Sequence, residues 1–189
     1  MKKEETLVSL LDNAVEKYAK RIAIKSEITG EQYTYPQVKE QALRISNTLH
    51  SKGVKIGDYV AVISDNIPEF IFADCGILYT GAASVPINRN LKPENLLEDY
   101  LRFVKPKVIL AEGKYTEKVG RYSNGIPIIS LEKALGAEPK RPDVEISQDN
   151  VSTIIFSSGT SSETERDFKA IQLSHENIVS NILANKDLI

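Results

Sequence analysis

The sequence predicts an α/β fold in which helices cover both faces of a mostly parallel sheet. Short aliphatic runs alternate along the chain with segments whose apolar residues recur at helical spacing. The run Tyr59–Ile63 has no polar side chain after its tyrosine, as expected of a strand that is covered on both faces. Strands of this kind, separated by helices, are typical of parallel sheets with crossover connections.

The composition fits one domain, or one domain with the beginning of a second. Of 189 residues, 41% are hydrophobic and 26% charged, and the net charge is −2. Because both signs of charge are spread along the chain, there is no basic stripe for binding nucleic acid. The single cysteine, Cys75, excludes an internal disulfide and fits a reducing compartment. Since no stretch reads as a signal peptide or a membrane span, we expect a cytoplasmic protein, with peripheral membrane association left open.

The first part of the chain predicts a helix, a hairpin and a second helix. The first helix has an apolar face made of Leu7, Leu10, Leu11, Ala14, Val15 and Tyr18. Residues 22–28 and 32–34 flank a Thr-Gly-Glu turn and predict the hairpin. Thr34, with Gln37 three residues later, fits a capping box at the start of the second helix. That helix should end at Gly53, because glycine adopts the left-handed turn at little cost.

The following segments alternate between predicted strands and helices. The strands are residues 59–63, 84–87, 108–110 and 126–129, and the helices are residues 68–79, 93–104 and 115–122. Pro86 lacks an N–H group and would fit only at an edge or an end of the sheet. Residues 137–150 contain two prolines and several charges and predict a connector. We therefore divide the chain into an α/β subdomain (1–136), this connector, and a strand–loop–strand–helix unit (151–189).

The last unit contains a loop that is suited to binding phosphate. Residues 151–156 and 168–173 predict strands, and residues 157–167 between them hold four serines, two threonines and one glycine. Gly159 would let successive N–H groups point inward and bind an anion. The hydroxyl groups could donate to phosphate oxygens or bind Mg²⁺, and Lys169 would add a positive charge. The composition alone fits a solvated surface loop equally well.

The order of the residues in this unit resembles the phosphate loop of the adenylate-forming superfamily. The similar segments are Phe-Ser-Ser-Gly-Thr-Ser at 156–161 and Lys-Ala-Ile-Gln-Leu-Ser-His-Glu-Asn at 169–177. The superfamily includes acyl-CoA synthetases, luciferases and the adenylation domains of peptide synthetases. Residues 65–70, 81–87 and 91–96 look like the branch of long-chain fatty acid–CoA ligases. The similarity spans nearly the whole chain.

The resemblance implies the N-terminal subdomain of the acyl-CoA synthetase fold and an enzyme that activates fatty acids. ATP and the acid would form an acyl-adenylate, and coenzyme A would then take the acyl group as a thioester. The phosphates would be bound by Ser157, Ser158, Gly159, Thr160, Ser161, Ser162 and Lys169. Thr160 would contact the Mg²⁺ that ATP carries, and no catalytic residue is assigned. Because the later elements of such enzymes are absent, we expect a fragment that is inactive without the missing C-terminal portion.

Two departures from the family pattern leave a second function open. Ser162 stands where the family has glycine, and the family's proline before the lysine is absent. Lys169 also lies further from Thr160 than in the family, and residues 163–167 add three carboxylates and one arginine. Carboxylates repel a triphosphate unless Mg²⁺ lies between them. The alternative is a non-catalytic relative that acts as a binding module.

Other polar residues are expected to have structural roles. Asp65 and Asn66 follow a predicted strand at its carboxyl end, where α/β proteins bind ligands, and we expect them to form caps and turns. His175 should begin the last helix without a catalytic role. Cys75 should lie in the core. Two histidines and one cysteine, far apart, provide no metal-binding pattern.

Overall fold

The computed structural model describes residues 5–91, 96–157 and 169–185. The helices are α1 (Leu7–Lys17), α2 (Tyr35–Ser51), α3 (Pro68–Tyr79), α4 (Leu96–Val104), α5 (Thr116–Gly120), α6 (Leu131–Leu135) and α7 (His175–Ala184). The strands are β1 (Ile22–Lys25), β2 (Gln32–Thr34), β3 (Tyr59–Ile63), β4 (Ala83–Pro86), β5 (Val108–Ala111), β6 (Ile128–Ser130), β7 (Val151–Ser157) and β8 (Lys169–Ser174). A short 3₁₀ turn, Gly113–Tyr115, precedes α5.

Six strands form one sheet in the order β6-β5-β3-β4-β7-β8. All neighbours pair in parallel except β7 and β8, which are antiparallel. β1 and β2 form a separate antiparallel hairpin. The predicted α/β class with a mostly parallel sheet is therefore confirmed. Pro86 is the last residue of β4, which lies between β3 and β7, so it occupies the end of an inner strand and not an edge.

Alternate residues of the inner strands pack into two different cores. Val60 and Val62 of β3 pack in a cluster with residues of α2 and α3. Ala61 and Ile63 pack in a cluster with residues of α4 and α5. Every residue of β5 is buried. Helices therefore cover both faces of the sheet, which is why these strands contain apolar residues without alternation.

The connector at residues 137–150 contains no helix or strand and lies against the first two helices. Arg44 of α2 donates from Nη1 to the carbonyl of Ala137 at 2.9 Å. Asn47 of α2 donates to the carbonyl of Glu138 at 3.0 Å. The division of the chain into subdomains at this connector stays a prediction.

In the part of the chain that the structure describes, no helix is long and apolar enough to cross a membrane. The cytoplasmic location stays a prediction.

Candidate functional site

The candidate loop leaves the sheet at the edge where parallel strands end. Because β3, β4, β5, β6 and β7 run in the same direction, their carboxyl ends lie at one edge. Ser157 is the last residue of β7 and therefore lies there. Open α/β sheets bind ligands outside the carboxyl ends of their strands. The last described residue before the candidate loop is thus located where this fold places ligands.

The two ends of the loop meet in the sheet. Ser157 and Lys169 are opposite each other in the β7–β8 ladder, and the pairs Phe156–Ala170 and Ile155–Ile171 precede them. The predicted second strand is described from Lys169 onward, as β8, and Phe168 lies outside the described residues. The structure thus brings together the first and last of the predicted phosphate-binding residues, and the Lys169 side chain is exposed. Ser158, Gly159, Thr160, Ser161 and Ser162 lie outside the described residues, so their phosphate-binding role stays a prediction.

An aromatic cluster contacts the strand just before the loop. The rings of Phe156 and Tyr100 are stacked, with centroids 4.0 Å apart and planes at 18°. Phe103, one turn further along α4, meets the Phe156 ring at 6.5 Å and 62°. Tyr100 is buried, whereas Phe103 is 59% exposed. The base of the loop therefore packs on α4.

A cluster of charged residues lies at the same edge of the sheet and joins the segments that follow β3, β4 and β5. The Asp65 carboxylate accepts hydrogen bonds from Lys114 Nζ and from the Tyr115 hydroxyl, both at 2.7 Å. It also forms an ion pair with Arg89. Glu112 accepts a hydrogen bond from the Asp65 N–H group at 2.9 Å and pairs with Lys114 at 2.6 Å. These contacts fix three loops relative to one another.

The hydrogen bonds from Lys114 and then Tyr115 hold the pKa of Asp65 below its usual value, so the carboxylate is charged at neutral pH. Asp65 does not cap α3, whose N-cap residue is Ile67. The expected cap role of Asp65 is therefore wrong, whereas its carbonyl does accept a turn hydrogen bond, from the Ile67 N–H group at 2.9 Å. The contacts were missed because the partners lie 47 to 50 residues away in sequence. One sequence pattern could have indicated this cluster: a charged residue follows shortly after each of three successive predicted strands.

His175 connects the last helix to the first. The side chain is completely buried, and its Nδ1 accepts a hydrogen bond from the N–H group of Leu7 at 3.2 Å. The backbone N–H group donates to the carbonyl of Asn150 at 3.0 Å. Burial lowers the pKa of His175 to about 4, so the ring is neutral at pH 7. These contacts fit the structural role that we expected.

The other candidate groups for chemistry do not form a site in the described ranges. Cys75 lies on α3, and burial raises the pKa of its thiol to about 12, so it is protonated and a poor nucleophile. No three histidine, cysteine, aspartate or glutamate side chains among the described residues are grouped so that they could hold a metal ion.

Comparison with known proteins relates the chain to a family of AMP-binding enzymes. Residues 11–188 match the family model described as AMP-binding enzyme. The chain is 31% identical over 182 residues to the hybrid PKS-NRPS synthetase xenE of Xenoacremonium sinensis. The match covers 95% of this chain and 4% of that protein. It is 28% identical over 191 residues to a 4-coumarate–CoA ligase of Vanilla planifolia, covering 92% of this chain and 34% of the ligase.

The fold is similar to that of a solved enzyme structure. Crystalline ATP-bound MatB from Rhodopseudomonas palustris superimposes with a TM-score of 0.85 at 22% identity. The superposition covers 98% of this chain and 38% of MatB. At this identity the likeness concerns the fold alone. The chain spans about a third of the length of the coumarate ligase and of MatB.

Proposed function

We propose, from the premise that this chain belongs to the AMP-binding enzyme family, that the protein activates a carboxylic acid with ATP and transfers the acyl group to coenzyme A. The observation that carries the proposal is the pairing of Ser157 with Lys169 at the carboxyl edge of the sheet. This pairing places Lys169 beside the start of a serine- and threonine-rich loop, at the edge where α/β proteins bind nucleotides. The family match and the fold both support this interpretation.

The proposed reaction has two steps. A carboxylate oxygen of the acid attacks the α-phosphorus of ATP, the bond from that phosphorus to the bridging oxygen breaks, and pyrophosphate leaves. The sulfur of coenzyme A, after losing its proton, then attacks the acyl carbon, and AMP leaves with the electrons of the carbon–oxygen bond. Negative charge grows on pyrophosphate in the first step, and positive groups fixed beside it lower the barrier.

The predicted phosphate ligands are the residues that would supply this stabilisation. Lys169 would place its ammonium group beside the β- and γ-phosphates, and Ser157 would begin the row of loop N–H groups. The loop residues Ser158, Gly159, Thr160, Ser161 and Ser162 complete the set proposed from the sequence. Mg²⁺ would travel with ATP and neutralise part of its charge, with the Thr160 hydroxyl as its proposed contact.

The identity of the acid is the least constrained part of the proposal. The sequence resemblance pointed to a long-chain fatty acid. The relatives compared above do not support that choice by name, since one is a coumarate ligase and the other a hybrid PKS-NRPS synthetase. We therefore propose a carboxylic acid as the substrate class, with a fatty acid and an aromatic acid as competing members.

A second candidate function rests on the composition of the loop. Residues 163–167 carry three carboxylates and one arginine, and Ser162 replaces the family glycine. Such a loop would repel a triphosphate that lacked Mg²⁺. The competing proposal is a non-catalytic binding module that has kept the fold.

Exchange of labelled pyrophosphate into ATP separates the two candidates. With the protein that carries this chain, exchange should require an added acid, and hexadecanoate and 4-coumarate should be compared directly. Lys169→Ala should lower the exchange rate at least tenfold, because it removes a charge-assisted contact of about 1.5–3 kcal/mol. Absence of exchange with every acid would favour the binding module. Exchange that needs no acid would contradict acid activation.

A further inference from the structure

We propose that one face of β7 and β8, formed by Thr153, Ile155 and Ile171 and called here the β7–β8 face, is an interface. It would pack against the portion of the full-length enzyme that lies outside this chain. That portion would contribute apolar side chains over the two isoleucines and a hydrogen-bond donor for Asp74. The inference rests on the proposed function only in assuming an enzyme of the relatives' length. Packing on this face needs no ATP, so it can be tested separately from the reaction.

Two large aliphatic side chains lie half-exposed at the centre of the β7–β8 face. Ile155 and Ile171 are opposite each other in the ladder and are 47% and 49% exposed. Their strand neighbours pack in the cluster that contains residues of α4, so these two side chains point to the other side of the sheet. Exposed apolar side chains that lie together are typical of surfaces that bind another protein segment.

The same side of the sheet carries α3, and Asp74 of α3 lies at the border of the β7–β8 face. Val62 of β3 and Phe72 of α3 pack in one cluster on this side. Asp74 lies beside Ser84 of β4, which is paired with Thr153 of β7. Burial raises the pKa of Asp74, and no cationic residue of the described ranges offsets it. Because a partly buried carboxyl without a partner is costly, a donor on the covering segment would stabilise it.

The sheet ends at β8 in the part of the chain that the structure describes. Among these strands β8 has one neighbour, β7, so no partner strand lies along its other edge. Native proteins protect an edge strand with charges, with proline or with a covering segment. The β8 sequence Lys-Ala-Ile-Gln-Leu-Ser has one charge, at its first residue, and no proline. An additional segment would therefore protect the edge as well as the face.

The length of the relatives supports the choice of occupant. The chain superimposes on MatB over 98% of its own length and covers 38% of MatB, and it covers 34% of the coumarate ligase. Roughly two thirds of each relative therefore lies outside the match. In a full-length enzyme such a portion is covalently attached, so it meets the face at a high effective concentration, whereas a second copy of the chain has to be captured from solution.

Cysteine labelling compares the chain alone with the full-length enzyme. Ile171→Cys introduces a thiol at the centre of the face, and its modification by a maleimide is followed by peptide-resolved mass spectrometry. We expect rapid labelling in the chain alone and labelling at least tenfold slower in the full-length enzyme. The control is Ser51→Cys, at an exposed position at the end of α2, which should react at the same rate in both proteins.

Three results would overturn the proposal. Equal labelling of position 171 in the two proteins would show that nothing covers the face. Slow labelling in the chain alone that becomes faster on dilution would assign the face to a second copy. A native product that consists of this 21.0 kDa chain alone would leave no further portion to dock.

The role of Asp74 has its own measurement. Asp74→Leu should leave the Tm of the chain alone unchanged or raise it, because it replaces a carboxyl that lacks a cationic partner. The same variant should lower the Tm of the full-length enzyme by at least about 2 °C, because the covering donor loses its acceptor. Equal lowering in both proteins would contradict the proposed donor. Protection of position 171 in an enzyme without acid-dependent pyrophosphate exchange would contradict the proposed function and support the interface.

Discussion

Asp12 is the residue through which the connector is held to the first and third helices. Its carboxylate accepts hydrogen bonds from the Tyr79 hydroxyl at 2.8 Å and from Arg141 at 2.7 Å, and it pairs with Lys39 at 2.6 Å. Burial alone would raise the pKa of Asp12, but its hydrogen bonds with Lys39, Tyr79 and Arg141 outweigh burial and hold the pKa below its usual value. The charged form is therefore the one that the fold stabilises.

Replacing Asp12 should cost stability in a pH-dependent way. Because its pKa is lower in the folded chain, Asp12 contributes stability above its unfolded pKa of about 3.9, and this is lost as the pH falls through the folded value. Asp12→Asn should lower the free energy of unfolding at pH 7 by about 1–3 kcal/mol. Urea unfolding at pH 7 measures the loss. Asp143→Asn, at an exposed position of the same connector, should have almost no effect.

His175 should give the fold a second pH dependence, at a higher pH. Its folded pKa of about 4 lies below the value of about 6.5 in an unfolded chain, so the unfolded state binds more protons between these values. Stability should thus fall as the pH drops, by about 2 kcal/mol between pH 7 and pH 5 from this group. In His175→Gln, the free energy of unfolding should therefore fall less steeply between pH 7 and pH 5 than in the parent.

The second histidine provides the control for this prediction. The chain has only two histidines, and His50 is exposed at the end of α2. His50→Gln should therefore keep the slope of the parent between pH 7 and pH 5. A His175→Gln variant whose unfolding free energy still falls as steeply as that of the parent would show that His175 does not cause it.

At the scale of elements, the close packing of α2 on α3 depends on Gly76. A Cβ atom at this position would lie 2.7 Å from the Ala42 carbonyl oxygen and 2.9 Å from the Ile45 Cβ atom. Both distances are too short, and the first involves backbone that cannot move alone. Gly76→Ala should therefore destabilise the chain by about 1–3 kcal/mol, measured by urea or thermal unfolding.

A second helical glycine is the matched control for Gly76→Ala. For Gly120 in α5, the nearest described atom outside its chain neighbours and its own helix backbone is Ile128 Cδ1, at 4.0 Å from the position of an added Cβ atom. Because alanine favours helices over glycine by about 1 kcal/mol, Gly120→Ala should leave stability unchanged or raise it. Equal destabilisation by the two substitutions would refute the packing argument.

Elements with a strong local pattern could be predicted from the sequence. The bounds of β3 and α3 agree with the prediction, because an uninterrupted aliphatic run and a helix opened by proline are local signals. Gln37 accepts a hydrogen bond from the Thr34 N–H group at 2.8 Å, as the capping-box pattern implied. The short helix α6 was missed, since five residues directly after a three-residue strand leave no periodicity to read.

At the scale of the whole molecule, the missed features are those that join distant parts of the chain. The Asp65 cluster joins residues after three strands, and the Asp12 cluster joins α1 to residue Arg141. No local pattern encodes such pairs, because they exist only once the sheet and helices have packed. The candidate loop could be predicted only in part. Its composition marks it in the sequence, whereas the position of Lys169 opposite Ser157 depends on a strand register that the sequence does not state.

The whole fold also explains why Lys169 is the best residue for testing the site. Lys169 lies at the carboxyl edge of the sheet, at the end of the loop. Lys52 is also exposed but lies towards the opposite edge, because it precedes the first residue of β3. The two lysines differ in location and not in charge, so their alanine variants form a matched pair.

Titration of the chain with Mg·ATP, by calorimetry, tests the central claim most directly. We predict saturable binding that Lys169→Ala weakens about tenfold, which corresponds to about 1.4 kcal/mol, and that Lys52→Ala leaves unchanged. Equal affinity in the parent and in Lys169→Ala, or an equal loss in the two lysine variants, would contradict a phosphate site at the carboxyl edge of this sheet.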